Sequence, residues 1–194
     1  ECETIEIKLR SLRRFRLQEL FRIGLDDLMN AISLEQCLQQ QSDLADVCIQ
    51  ICYELAMQEV LGTEKSFFEP YFTILALGRL GAHEFMYGSD LDILFIVDQK
   101  QFDQQATQPL VKVAQRLLHM LTMRMPEGSL YPIDTALRPS GAQGPLVSTW
   151  VGCLAYHQQN AMVWEKQSLL RARPVAGSLE LGTRVTETLE NFRY

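Results

Sequence analysis

The sequence predicts an α+β fold: a small sheet with an inserted helix, flanked by helical extensions at both ends. Three observations point there. Apolar positions recur at helical spacing through residues 4–61, two short apolar runs bounded by proline and glycine occupy 71–77 and 90–98, and helical spacing returns from about residue 148. The chain has 194 residues, 47% of them hydrophobic, which is enough for a real core and excludes disorder or a collagen-like repeat. One domain over 1–194 is expected, with a helical preface (1–66), a sheet region (67–147) and a helical extension (148–194).

Residues 4–30 read as a helix through Ile5, Leu9, Leu12, Leu20 and Ile23. Lys8, Arg10, Arg13, Arg14, Arg16 and Arg22 fall on its other face, either solvated or docked on an acidic partner. Residues 34–61 read as a second helix, ended by Gly62, with Ser42 in "SDLAD" able to cap a separate second piece. "YFTILAL" (71–77) suits a buried strand, "GRLGAHEFMYGS" (78–89) a glycine-punctuated loop or turn of helix, and "DLDILFIVD" (90–98) a second strand. Residues 107–125 form an amphipathic helix with Leu110, Ala114, Leu117, Leu118 and Leu121 inward, followed by a turn at 126–128. "LYPIDTALR" (130–138) reads as a third strand and 139–145 as a loop. "STWVGCLAYHQQ" and "VWEKQSLLRAR" read as helical, and Gly177 precedes a final helix over 180–193.

A formal net charge of −6 argues against a nucleic-acid partner, and no apolar run approaches the ~20 residues of a membrane span. The five cysteines (Cys2, Cys37, Cys48, Cys52, Cys153) are odd in number, form no CxxC pair and suit buried thiols in a reducing cytoplasm. His83, His119 and His157 are too scattered for a zinc cluster. The start at Glu1, in mid-pattern, suggests a piece of a longer protein.

Chemistry concentrates in "YGSDLDILFIVD" (87–98). Residues i and i+2 of a strand share a face, so Asp90 and Asp92 lie together at the mouth of an apolar run. Two close carboxylates raise each other's pKa unless a cation sits between them, and a hard divalent ion with phosphate oxygens completes such a site. Asp134, on the next strand, can reach the same place if the strands pair, and three carboxylates can hold two ions. Gly78 and Gly81 let backbone N–H groups approach an anion, Ser89 offers a hydroxyl, and Arg79 and Arg138 can fork onto phosphate oxygens. A lone Asp-x-Asp at a strand mouth is also compatible with a turn cap or half an ion pair, so the order of the whole set carries the reading.

Gly78, "SDLD" at 89–92 and a third aspartate on a later strand resemble the polymerase-β-type nucleotidyltransferase superfamily, with Arg79 at its usual Ser position. "LGRLGAHEFMYGSDLDILFIVD", "LYPIDTALRPSGAQGPLV" and "WEKQSLLRARPVAG" resemble three consecutive signatures of the glutamine-synthetase adenylyltransferase family, and the helical preface is similar too. The family enzymes carry two related nucleotidyltransferase domains, one that adds AMP to a tyrosine of glutamine synthetase and one that removes it. "YGSDLD", "RPSGAQG" and "HQQNAMVWEKQSLLRARPV" look more like the C-terminal, adenylylating copy. The resemblance implies ATP as substrate, Mg²⁺ or Mn²⁺ on Asp90, Asp92 and Asp134, and Asp134 also as base for the tyrosine hydroxyl. Nucleotide contacts would come from Gly78, Arg79, Gly81, Ser89 and Arg138. It implies a cytoplasmic enzyme with glutamine synthetase as partner and a nitrogen-regulatory PII protein acting through the longer enzyme. The alternatives are the deadenylylating copy, which uses phosphate, and a nucleotide-sensing module of weak activity. Ala136 replaces the first arginine of the family's D-x-R-L-R-P run, and Pro132, Ile133, Ala82 and Arg79 are further departures. Glu165, Gln167, Arg171 and Arg173 are expected to bridge helices to the sheet while Trp164 and Leu170 pack, or else to contact substrate.

Overall fold

The computed structural model describes residues 4–99 and 107–190. The fold is α+β, as the sequence predicts, and its sheet is mixed and five-stranded. Two long helices come first, α1 (Ile5–Leu28) and α2 (Leu34–Leu61). A capping box starts α2: Ser33 accepts from the Gln36 N–H and Gln36 reaches back to the Ser33 N–H. The helix then runs unbroken through "SDLAD". Ser42 does not cap a second piece; its hydroxyl donates to the Leu38 carbonyl one turn back and accepts from the Phe85 N–H.

After a short turn, α3 (Lys65–Phe68), the chain enters β1 (Phe72–Ala76), makes one helical turn, α4 (Gly78–Gly81), and returns as β2 (Leu91–Val97). The helix α5 (Gln108–Thr122) follows, with Leu118 only partly buried and Val113 and Met120 buried instead. Then come β3 (Ile133–Asp134), β4 (Val147–Thr149), α6 (Trp150–Gln159), α7 (Val163–Leu169), β5 (Arg173–Gly177) and α8 (Leu179–Glu190). The expected strand over 130–138 is therefore only two residues long, because the chain turns at 136–140. Residues 147–149 and 173–177 are strands rather than parts of helices.

The strand β1 lies between β2 and β5, antiparallel to both. On its far side β2 carries two short parallel partners end to end, β3 against Leu91 and Asp92 and β4 against Phe95–Val97. Both sheet faces are covered. Leu91, Ile93, Phe95 and Val97 pack into a core with α1, α2 and α5, whereas Leu94 and Ile96 join Leu75, Leu77 and residues of α6, α7 and α8 in a second one. Burial on both sides explains why β2 reads as a continuous apolar run rather than an alternating one.

The basic face of α1 is not simply solvated. Arg13 is 1% exposed. Its guanidinium donates to the carbonyls of Met120, Met123 and Gly128, closing the C-terminal end of α5 and the turn after it. Arg16 lies over the Tyr131 ring, 4.2 Å from its centroid. Arg10 and Arg14 reach Glu127, and Arg22 pairs with Glu19 and Asp26. Cys37, Cys48, Cys52 and Cys153 are buried free thiols, while Cys2 lies outside the described residues. No described helix is long and apolar enough to cross a membrane.

Candidate functional site

The first strand's exit and the second strand's entry build the site. The Leu77 N–H bonds the Asp92 carbonyl at 2.9 Å, so the chain leaves β1 directly beside Asp92. Gly78 then takes φ +54°, and a Cβ there would stand 2.6 Å from Asp92 Oδ2. Only glycine meets both demands, the left-handed backbone and the close approach to a carboxylate.

Asp92 shares its face of β2 with Leu94 and Ile96 and forms the open end of that row. It pairs with Asp134 in the β2–β3 register, and Asp90 precedes it by two residues. Asp92 is half-buried, while Asp90 and Asp134 are exposed. Burial pushes the Asp92 carboxyl up to about 6; the Asp134 and Asp90 charges add to the rise and Arg79 opposes it. The carboxylates of Asp90 and Asp92 make no hydrogen bond or ion pair with another described residue. Asp134 Oδ1 accepts from the Ala136 N–H at 2.6 Å, leaving Oδ2 without a partner among the described residues.

Arg79, Tyr87, Gly88, Ser89, Asp90 and Asp92 line an open cleft of about 430 Å³. That volume suits a small-molecule site. Arg79 is exposed, and among the described residues its guanidinium bonds only the thioether of Met86, Nη1 to Sδ at 3.3 Å, a weak acceptor that leaves its donors available. The structure thus gathers Gly78, Arg79, Ser89, Asp90 and Asp92 at one place, with Asp134 on the adjacent strand.

Two other residues read from the sequence are engaged elsewhere. Gly81 is buried and its N–H bonds Leu77 O; a Cβ there would lie 2.3 Å from the Arg171 carbonyl, so it serves close packing of backbones. Arg138 donates to Thr135 O and Oγ1, Ala142 O and Gly144 O, and so ties the 135–144 loop together. In the third signature, Glu165 accepts from the Tyr156 hydroxyl and the Met162 N–H, Arg171 meets Glu84, and Arg173 meets Asp46 and Leu80 O. Of these, the Arg173 pair bridges a helix to the sheet as expected, whereas the Glu165 bonds join α6 to the start of α7 and Arg171 meets the loop before β2. Trp164 (55%) and Leu170 (43%) are exposed rather than packed.

Sequence reading passed over Tyr87, which lines the cleft, although its place two residues before Ser89 was a signal. It also passed over Asp43, Asp46 and His83, the described trio whose ligand atoms all lie within 4.8 Å of one another. Asp46 there is already paired to Arg173 at 2.7 Å, and Gln39 bonds both Asp43 and His83. That charge is met within the protein. The Asp90, Asp92 and Asp134 carboxylates differ in having no cationic partner in bonding contact among the described residues, and without a cation like charges repel. Unpartnered oxygens at a cleft, one of them with a raised pKa, fit a hard divalent cation such as Mg²⁺ or Mn²⁺.

A glutamate-ammonia ligase adenylyltransferase family model matches residues 1–188. Curated relatives described as bifunctional glutamine synthetase adenylyltransferase/adenylyl-removing enzymes match over most of the chain. The relative from Ralstonia nicotianae is 36% identical over 184 residues, covering 93% of this chain and 19% of its own length. That from Methylococcus capsulatus is 37% identical over 189 residues, 89% of this chain and 20% of its own. That from Nitrosococcus oceani is 32% identical over 201 residues, 94% and 20%. The chain thus spans about a fifth of the length of the curated relatives it matches.

Proposed function

The chain belongs to the glutamate-ammonia ligase adenylyltransferase family, and from that premise we propose that it transfers AMP from ATP to a tyrosine hydroxyl of glutamine synthetase, releasing pyrophosphate. The observation that carries the reading is the pair of Asp90 and Asp92 at one cleft, with Asp134 beside Asp92 on the adjacent strand and Gly78 fitted against the Asp92 carboxylate.

Asp90, Asp92 and Asp134 would hold Mg²⁺ or Mn²⁺, which supplies charge neutralisation for the triphosphate and makes the attacking hydroxyl more acidic. Above about pH 6 the Asp92 carboxyl is ionised and able to bind a cation. Gly78 removes the side chain that would otherwise stand between β1 and Asp92. Ser89 and Arg79 offer a hydroxyl and a guanidinium to the phosphates. Asp134 would take the tyrosine proton, through Oδ2, since Oδ1 accepts from the Ala136 N–H. The tyrosine oxygen forms a bond to the α-phosphorus as the bond to the pyrophosphate oxygen breaks, and positioning by these residues is the main source of rate. On this reading Gly81 and Arg138 would act on the nucleotide only indirectly, through the backbone packing and loop contacts described above.

The relatives' printed names cover both addition and removal of AMP, so the reverse activity, phosphate attacking AMP-tyrosine, is the second reading. A cytoplasmic location and control by a PII protein through the longer enzyme belong to the same proposal. ATP labelled at the α-phosphate is mixed with unmodified glutamine synthetase, Mg²⁺ and this chain, with Asp92→Asn as control. Label on a glutamine synthetase tyrosine, absent from the control, is expected. No label, together with release of ADP from adenylylated glutamine synthetase and phosphate, would assign the removing activity instead.

A further inference from the structure

Tyr87 stands where the cleft meets the helical layer, and none of the chemistry above uses it. Its ring, 51% exposed, lines the cleft beside Ser89, Asp90 and Asp92. Its hydroxyl points the other way, donating to Asp27 Oδ2 (3.3 Å) near the end of α1 and contacting Cys37 Sγ (3.3 Å) in the first turn of α2. Gln41 Nε2 donates to the same sulfur at 3.4 Å. One direction satisfies the whole chain: Gln41 to Cys37, the Cys37 thiol to the Tyr87 oxygen, and the Tyr87 O–H to Asp27.

The stretch that Tyr87 holds has few other ties. Phe85 is anchored by its buried ring and by its N–H on Ser42 Oγ (3.1 Å), and Leu91 by its N–H on the Pro132 carbonyl (2.9 Å). Between them the described residues have only the Ser89 N–H to Met86 O turn (3.1 Å), the Arg79 contact on Met86 and the Tyr87 hydroxyl. The first two tie the loop to itself and to an exposed side chain. Among the described residues, the hydrogen bonds that connect it to the α1–α2 hairpin are those of Tyr87.

We propose that Tyr87 is a positioning residue: by tying residues 86–90 to the α1–α2 hairpin it holds Ser89 and Asp90 level with Asp92, so that the nucleotide meets a formed cleft. The inference rests on the nucleotidyltransferase reading for its purpose, though the tie itself can be tested separately.

The test uses the chain carrying Tyr87→Phe, Asp27→Ala or both. Asp27→Ala removes the acceptor from a partly exposed position of the hairpin and keeps the test open should the tyrosine variant misfold. Two quantities are read: amide hydrogen exchange at 86–90 in the free protein, and affinity for Mn²⁺ with α,β-methylene-ATP, which cannot be cleaved at the α–β bridge. Each single variant should speed exchange at 86–90 by about fivefold, leave β1 and β2 unchanged, and weaken nucleotide binding by a similar factor. The double variant should be no worse than the more affected single one, because both break the same tie. Unchanged exchange at 86–90, additive effects, or a uniform rise across the sheet would overturn the tie. A loosened loop in a protein that binds no Mn²⁺–nucleotide even in its unaltered form would overturn the functional reading, and with it the purpose given to the tie.

Discussion

Asp92 is where stability and function pull apart. Its carboxyl is raised from an ordinary 3.8 to about 6, so the folded state disfavours the ionised form. The stability attached to a raised acid is complete below the unfolded value and is lost as pH climbs through the folded one. In cation-free protein, Asp92→Asn should therefore raise stability at about pH 8 by about 1 kcal/mol after allowance for solvent screening. It should change little below about pH 4. Urea melts in the presence of a chelator read this directly, and a destabilised asparagine variant at high pH would contradict it. Gly78→Ala should cost about 2 kcal/mol through its left-handed φ alone, and should also weaken cation binding by crowding Asp92 Oδ2. A calorimetric melt and a Mn²⁺ titration on the same sample separate the two effects. The sequence carried Asp90 and Asp92 openly, because alternation on a strand is a local rule. It could not reveal that the Arg138 guanidinium is committed to loop carbonyls six residues away at most, nor that Gly81 faces Arg171, ninety residues on, since both depend on how the chain folds back.

Elements differ in how plainly they are written. The long helices α1, α2 and α5 were legible because their apolar spacing persists over many turns. The strands β3 and β4 were not, being two and three residues long and defined by their partner β2 rather than by any run of their own. The strand β5 was masked by Pro174, which is tolerated because β5 is at a sheet edge and pairs with β1 across an irregular register. Arg13 was misread for a related reason: a helical period shows which side it is on, not that α5 ends against it. Arg13→Met should destabilise the fold by about 3 kcal/mol, because it leaves the Met120, Met123 and Gly128 carbonyls short of a charged donor. Arg14→Met, on the exposed Glu127 pair, should cost under about 1 kcal/mol. Equal losses in denaturant melts of the two variants would contradict the capping role. Ser33→Ala should cost about 1 kcal/mol through loss of the α2 cap, whereas Ser42→Ala should leave the helix intact and act on Phe85 instead. Hydrogen exchange in the first turn of α2 distinguishes these outcomes.

At the scale of the molecule, two cores on opposite faces of one sheet clamp β2, so Asp92 at its open end stands on a rigid support. A ligand set on a buried strand does not reorganise when charge arrives, whereas Asp90, just ahead of the strand, depends on its loop being held. Ion pairs also tie distant segments together: Asp46 of α2 meets Arg173 of β5, and Glu84, in the loop before β2, meets Arg171. That three-layer arrangement was visible in the sequence only as an order of helices and strands; the second core and both cross-links depend on pairings of distant segments. The proposed cation site of Asp90, Asp92 and Asp134 is tested by Mn²⁺ binding, read by electron paramagnetic resonance at about pH 8 in the unaltered chain and in Asp92→Asn and Asp46→Asn. Saturable binding that is lost in Asp92→Asn and kept in Asp46→Asn is expected. Binding that survives Asp92→Asn and disappears in Asp46→Asn would instead put the cation at the α2 trio and overturn the proposed site.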